Sequence, residues 1–214
     1  MSDCRFCDIA NDCEKIQKPE NMKIIEDEDY FAISSVGALV EGWVLVVPKR
    51  HGCSMKKLYA EKKFVAFTDK IVSALVACYG PVIVFEHGPN HDGSDTSCGT
   101  NHAHIHVVPY RSLMMELNTM DMKWIECYAS QVSELVGENE YLFYCEPGKH
   151  WNNPLGKVHI LKKPISQFFR RIIAEDQGIP EKFNYKTNPD TVLTLKTIEK
   201  TKSFFSKYYG VKND

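Results

Sequence analysis

The sequence predicts an α+β fold: an antiparallel, hairpin-rich sheet with one long helix packed on it, continued by a helical, two-strand C-terminal extension. Short apolar runs closed by turn residues fill 23–48, helical periodicity follows at 55–79, and three histidines alternate with apolar residues in NHAHIHVVPY at 101–110. In an extended chain successive side chains point to opposite faces. His102, His104 and His106 therefore share one face, and Ala103, Ile105 and Val107 the other.

Taken in order, KIIEDEDYFAI at 23–33 reads as two strands around an acidic turn, and EGWVLVVP at 41–48 as a buried strand closed by proline. Leu58, Phe64, Phe67, Ile71, Leu75 and Val76 recur at helical spacing across 55–79, and Gly80-Pro81 ends the run. A strand at 82–86 leads into HGPNHDGSDTSCGTN, a loop of glycine and short polar residues that delivers the chain into the histidine strand. Beyond Tyr110 the pattern predicts a helix to about residue 135, strand YLFYCE, loop GKHWNNPLG and strand KVHIL. Helix PISQFFRRIIAEDQG follows, with Pro164 in its first turn and Gly178 and Pro180 at its end, and Asn188-Pro189 opens a last helix to about residue 208.

This divides the chain into a domain at 1–112 and an extension at 113–214. The order helix, strand, loop, strand occurs in both. Setting Pro164 against Pro109 puts His159 opposite His104 and Glu146 of CEPG with Glu86 of FEHG, which reads as a degenerate half-repeat packed on the same sheet.

A chain of 214 residues buries a sizeable core. Its formal net charge of −2 gives no surface for coating a nucleic acid polymer, while small anions remain admissible. The first residues lack a basic segment followed by an apolar core, and no run approaches membrane length, so a cytoplasmic protein without a membrane partner is expected. Eight cysteines then imply reduced thiols. Cys4 and Cys7 form the single CxxC, for which metal ligation is the better use; the other six read as small core residues.

A mid-strand histidine becomes a directed base once a neighbour fixes its tautomer. If the His104 imidazole hands one N–H to a backbone carbonyl, its other nitrogen is free to attack phosphorus. The loop SCGTN upstream offers backbone N–H groups at Gly99 and its neighbours, the Thr100 hydroxyl and the Asn101 amide for phosphoryl oxygens, and His106 can donate to the leaving oxygen. Glu86 and His87, at a strand end beside this site, are candidates for supporting it. One of Arg170 and Arg171 would reach a substrate phosphate, or both are solvated helix residues; His150, Lys157 and His159 are lid or acceptor contacts or plain surface groups.

HAHIHVV resembles the signature of the histidine triad (HIT) family, and CRFCDIA, IIEDEDYFAI and EGWVLVVPKRH precede it in the order that family shows, across residues 1–110. The resemblance implies a HIT-like sheet and a two-step nucleotidyl hydrolase or transferase acting on a small nucleotide. His104 would be the nucleophile that carries the nucleotide, and His106 the third histidine. Histidine there, where transferases such as galactose phosphate uridylyltransferase carry glutamine, leans toward hydrolysis of an anhydride, ester or phosphoramidate. A transferase using phosphate or a phosphorylated acceptor is the alternative, and a non-catalytic nucleotide-binding adaptor a third. The resemblance also implies a structural zinc on Cys4, Cys7, His51 and His102, with Cys13 or Cys53 as rival ligands. A transition metal on all three histidines is a further option. Phe6, Ile9 and Ile33 fall where the family builds its nucleobase slot, and Ser35 where an acidic or amide residue usually meets the ribose, so that contact is weaker here. Small members dimerise, which implies a homodimer unless the extension covers the surface they use.

Overall fold

A computed structural model describes residues 4–97 and 100–210. Its strands are β1 (Lys23–Glu26), β2 (Tyr30–Ser34), β3 (Val44–Pro48), β4 (Val82–Gly88), β5 (Ile105–Pro109), β6 (Ile125–Tyr128), β7 (Tyr141–Cys145) and β8 (Leu155–Ile160). They form one sheet in the order β1-β2-β3-β5-β4-β7-β8-β6, antiparallel at every pairing. The fold is thus α+β, as the alternating runs predict.

Strands β2, β3 and β7 are buried along their whole length because helices cover both faces of the sheet. On one face α2 (Lys62–Tyr79) and α6 (Val192–Tyr209) pack over Val44, Val46, Val84, Ile105 and Val107. Phe64, Phe67, Ile71 and Leu75 form the inward stripe of α2, each worth about 1.5–3 kcal/mol of burial. The other face lies under α1 (Arg5–Ala10), α3 (Met114–Thr119) and α5 (Phe168–Asp176), which meet Phe31, Leu45, Phe85 and Tyr144. Here Ile105 and Val107 turn to the first face and His106 to the second, the alternation read from the sequence.

Three boundaries differ from the sequence reading. The helix predicted over 111–135 is instead α3, the strand β6 and a short α4 (Val132–Val136), so the extension has three strands rather than two. Met120, Met122 and Trp124 face one core while Ile125 and Cys127 face the other, a period of two that suits a strand. The long helix starts at Lys62, because Met55 and Tyr59 are drawn into the core by hydrogen bonds to Glu86. Helix α5 starts at Phe168, after Gln167 takes a left-handed conformation with φ 56°.

The extension continues the sheet through β7, which pairs with β4 from Val84↔Cys145 to Gly88↔Tyr141. Gly88 is required there, since a Cβ would collide with the Tyr141 ring that crosses it. Among the described residues no helix is long and apolar enough to cross a membrane.

Candidate active site

Strand β5 sits between β3 and β4, so histidines on its α5-facing side look into a cavity with walls from both neighbours. That cavity, of about 40 Å³, is lined by Arg5, Phe6, Ser35, Val36, Leu45, His87, Ser97, Thr100, His104, His106, Arg170 and Tyr185. The predicted histidine strand begins only at Ile105; the chain bends at His102 and reaches β5 through Ala103, whose N–H bonds the Gly52 carbonyl. The His104 and His106 rings stand 4.9 Å apart, and Phe6 meets His104 edge-on at 5.4 Å.

Partners on the protein fix the tautomers. A carbonyl only accepts, so His104 donates its Nδ1–H to the His102 carbonyl at 2.8 Å and keeps a lone pair on Nε2. An indole only donates: Trp43 Nε1–H bonds His106 Nδ1 at 2.9 Å, so the neutral His106 ring carries its proton on Nε2. Burial, first of all, holds both imidazoles below their usual pKa, His106 far below it, and the facing positive groups add to this. One ring therefore offers a nucleophilic nitrogen and the next an N–H donor.

The same loops gather a second cluster. Ligand atoms of Cys4, Cys7, His51 and His102 lie within 4.8 Å of one another. Cys4 Sγ is 3.3 Å from His102 Nδ1, Cys7 Sγ 3.3 Å from His51 Nδ1 and 3.5 Å from His102 Nδ1. A tetrahedral ion with bonds of about 2.0–2.3 Å separates its ligands by about 3.6 Å, so donor set and spacing both fit a metal ion. His102 donates Nε2–H to the Pro48 carbonyl at 2.7 Å, which turns Nδ1 toward the thiols. Burial pushes the His102 imidazole down to about 4, in the neutral form a ligand requires. Cys13 is not part of the cluster, and Cys53 bonds Asp92 instead.

Of the residues singled out from the sequence, the cavity brings together Phe6, Ser35, His87, Thr100, Arg170, His104 and His106. Others lie elsewhere. Ile33 is buried in the core beneath, and Ile9 lines a separate groove with Asp12, Lys23 and Glu26. Glu86 points to the opposite sheet face, as strand alternation next to Phe85 demands, and accepts bonds from Met55 N–H, Tyr59 and Tyr141. Burial raises its carboxyl to about 7. Asn101 stands behind the loop, accepting from Ser97, while Gly99 lies outside the described residues.

Successive helix positions point about 100° apart, which splits the arginine pair. Arg170 is buried, bonds the Gly37 and Phe183 carbonyls and stacks on Trp43; Arg171 is exposed over Phe183. His150, Lys157 and His159 bond Asp69, Asn118 and the Lys123 carbonyl, away from the cavity. Sequence reasoning missed Arg5, Trp43, Ser97 and Tyr185. Arg5 lay between the paired cysteines, but nothing local marked the other three.

Residues 17–113 match the family described as the HIT domain. Solved structures resemble the chain as well. A histidine triad protein from Clostridium difficile is 25% identical over 53% of this chain and 95% of its own, with a TM-score of 0.37. A hypothetical histidine triad nucleotide-binding protein from Sulfolobus tokodaii is 18% identical over 99% of this chain and 100% of its own, with a TM-score of 0.39. Yeast Ap4A phosphorylase Apa2, in complex with AMP, is 12% identical over 88% of this chain and 79% of its own, with a TM-score of 0.41. No curated protein matches the chain.

Proposed function

We propose that this chain is a nucleotide hydrolase that cleaves a nucleoside phosphate derivative through a covalent nucleotidyl-histidine at His104. The observation that carries this reading is the pair of opposite tautomers, a lone pair on His104 Nε2 beside an N–H on His106 Nε2. Nε2 of His104 forms a bond to the α-phosphorus, and the bond from phosphorus to the leaving group breaks with its electron pair. His106 gives the departing atom a hydrogen bond. Water then attacks the same phosphorus, the N–P pair returns to Nε2, and the water proton passes to solvent. We assign Thr100 as a donor to the phosphoryl oxygens, and Phe6, Leu45, Val36 and Ser35 wall the side we assign to the nucleoside.

A transferase in which phosphate or a phosphorylated acceptor replaces water is the second reading, favoured by buried Arg170 in the cavity wall. An adaptor that binds without turnover is the third. Intact mass after brief mixing with adenosine and guanosine phosphate derivatives tests the first. The parent is expected to gain one nucleotide, and His104→Asn none, with turnover lower by more than about a thousandfold. A His104→Asn variant as fast as its parent overturns the enzymatic reading.

We further propose that Cys4, Cys7, His51 and His102 hold zinc. Four protein ligands leave no open position, so its contribution is structural. The seven described cysteines are free thiols, which supports a cytoplasmic setting. Because β7 occupies the outer edge of β4, a homodimer of this chain would use another surface, which sedimentation equilibrium reads directly. Finally, we read the extension as a decayed half-repeat. The order β3-β5-β4 is mirrored by β7-β8-β6, and Trp124 packs on His159 at 5.6 Å as Trp43 packs on His106 at 5.8 Å. In strand register Leu45 pairs with His106 and Glu126 with Lys157, each two residues past its tryptophan.

A further inference from the structure

The cavity beside His104 and His106 holds about 40 Å³, while clefts that take a small ligand run to about 300–1,000 Å³. A nucleotide therefore enters only if a wall moves. Strands β3, β4 and β5 do not supply that movement, because both faces of the sheet are covered and each strand is laddered to its neighbours. Arg5 and Phe6 come from α1, which Arg5 fastens to Asn21 with bonds of 2.7 and 3.0 Å. The loop carrying Ser97 and Thr100 is anchored from behind, where Thr96 donates to the buried Glu140 at 2.7 Å. Arg170 rides on α5. The wall that remains is Tyr185, on the connection between α5 and α6.

That connection is held differently. Residues 184–190 form neither helix nor strand; Lys186, Thr187, Pro189 and Asp190 are exposed, and Asn184, Tyr185 and Asn188 half-buried. Its ties to the body include hydrogen bonds at both margins: Arg170 Nε–H to the Phe183 carbonyl at 2.8 Å, Gln167 to Asn184 at 3.3 Å, and the Gly37 N–H to the Asp190 carbonyl at 3.2 Å. A segment with so little apolar burial opens at far lower cost than the sheet beneath it. Between these ties it lies on Gly37, where φ is 62° and an added Cβ would stand 2.8 Å from the Tyr185 Cβ and 2.6 Å from the Asn188 carbonyl oxygen. Glycine at 37 is what lets the Tyr185 ring descend into the cavity. There Arg170 meets the ring at 5.7 Å, and Arg5 faces it from α1.

We propose that residues 184–190 are a lid on the β2 side of the cavity, which lifts to admit a nucleotide and closes with the Tyr185 ring against its nucleoside. This rests on the nucleotide reading of the cavity and adds to it a residue from the extension.

The test follows AMP and GMP binding to His104→Asn by stopped-flow tryptophan fluorescence. With a lid, the observed rate is expected to level off at a value shared by both nucleotides, because opening precedes entry. Adding Tyr185→Ala is expected to abolish the plateau, raising the rate at high nucleotide at least about tenfold, and to speed dissociation about tenfold through the lost ring contact. Both changes are required: a rate linear throughout before that substitution, a plateau left after it, or an unaltered dissociation rate overturns the proposal. Should Tyr185→Ala fail to fold, Gly37→Ala, whose Cβ wedges the lid off from beneath, is read in the same way. If neither nucleotide binds, the nucleotide reading fails, and the lid is read from amide exchange in the free protein. The Gly37 N–H bonds the lid, whereas the Ser35 N–H bonds the Trp43 carbonyl at 2.9 Å. Exchange at Gly37 at least about a hundredfold faster than at Ser35 keeps the lid, and equal protection removes it.

Discussion

The proton on His106 is placed by a residue 63 positions away, Trp43. Trp43→Phe removes the N–H that bonds Nδ1 and lets the ring exchange tautomers. We expect kcat to fall about tenfold with KM little changed, and the acid limb of the kcat profile to move to higher pH; an unmoved limb argues against the indole's role. His87 gives a stability test, since burial pushes its imidazole down to about 3. Between about 6.5 and that value the unfolded chain binds the proton and the folded chain does not, so the stability it permits is full above 6.5 and is lost as pH falls. Comparing urea melts at pH 7 and 5, His87→Leu should gain roughly 2 kcal/mol on its parent, with the buried Glu86 common to both and cancelling. A constant difference would show that His87 titrates normally. At this scale the opposite facing of His106 and its neighbours Ile105 and Val107 was legible because strand period alone sets it, whereas His102 and His104 precede the strand. The tautomers of all three were not, because they depend on an indole and on carbonyls that only the folded chain supplies.

Helix α1 has six residues, too few to persist alone, and its Phe6 forms one wall of the cavity. What holds it is the Cys4 and Cys7 end, tied to His51 and His102. Cys4→Ser, or chelation of the parent, should remove one bound metal ion per chain by elemental analysis. It should also lower Tm by roughly 10 °C, about 3 kcal/mol at this length; an unaltered Tm would leave the cluster without structural weight. The CxxC was visible in the sequence, while His51 and His102 came from resemblance to a family, since no local spacing joins them. Strand β6 was hidden for another reason: four residues between two helical turns carry too little periodicity to outweigh the helix formers around them.

Across the whole molecule, the first five strands and the long helix could be read from turn residues and apolar period, whereas the sheet order could not. The junction of β4 with β7 joins segments some 60 residues apart, and the arrival of α5 over the cavity depends on it. It stacks Phe169 on Phe85, brings Arg170 to the cavity wall and leaves Arg171 exposed. Both halves of that seam belong to a single polypeptide, so dilution cannot part them. The cavity beside His104 and His106 keeps the same wall at any protein concentration.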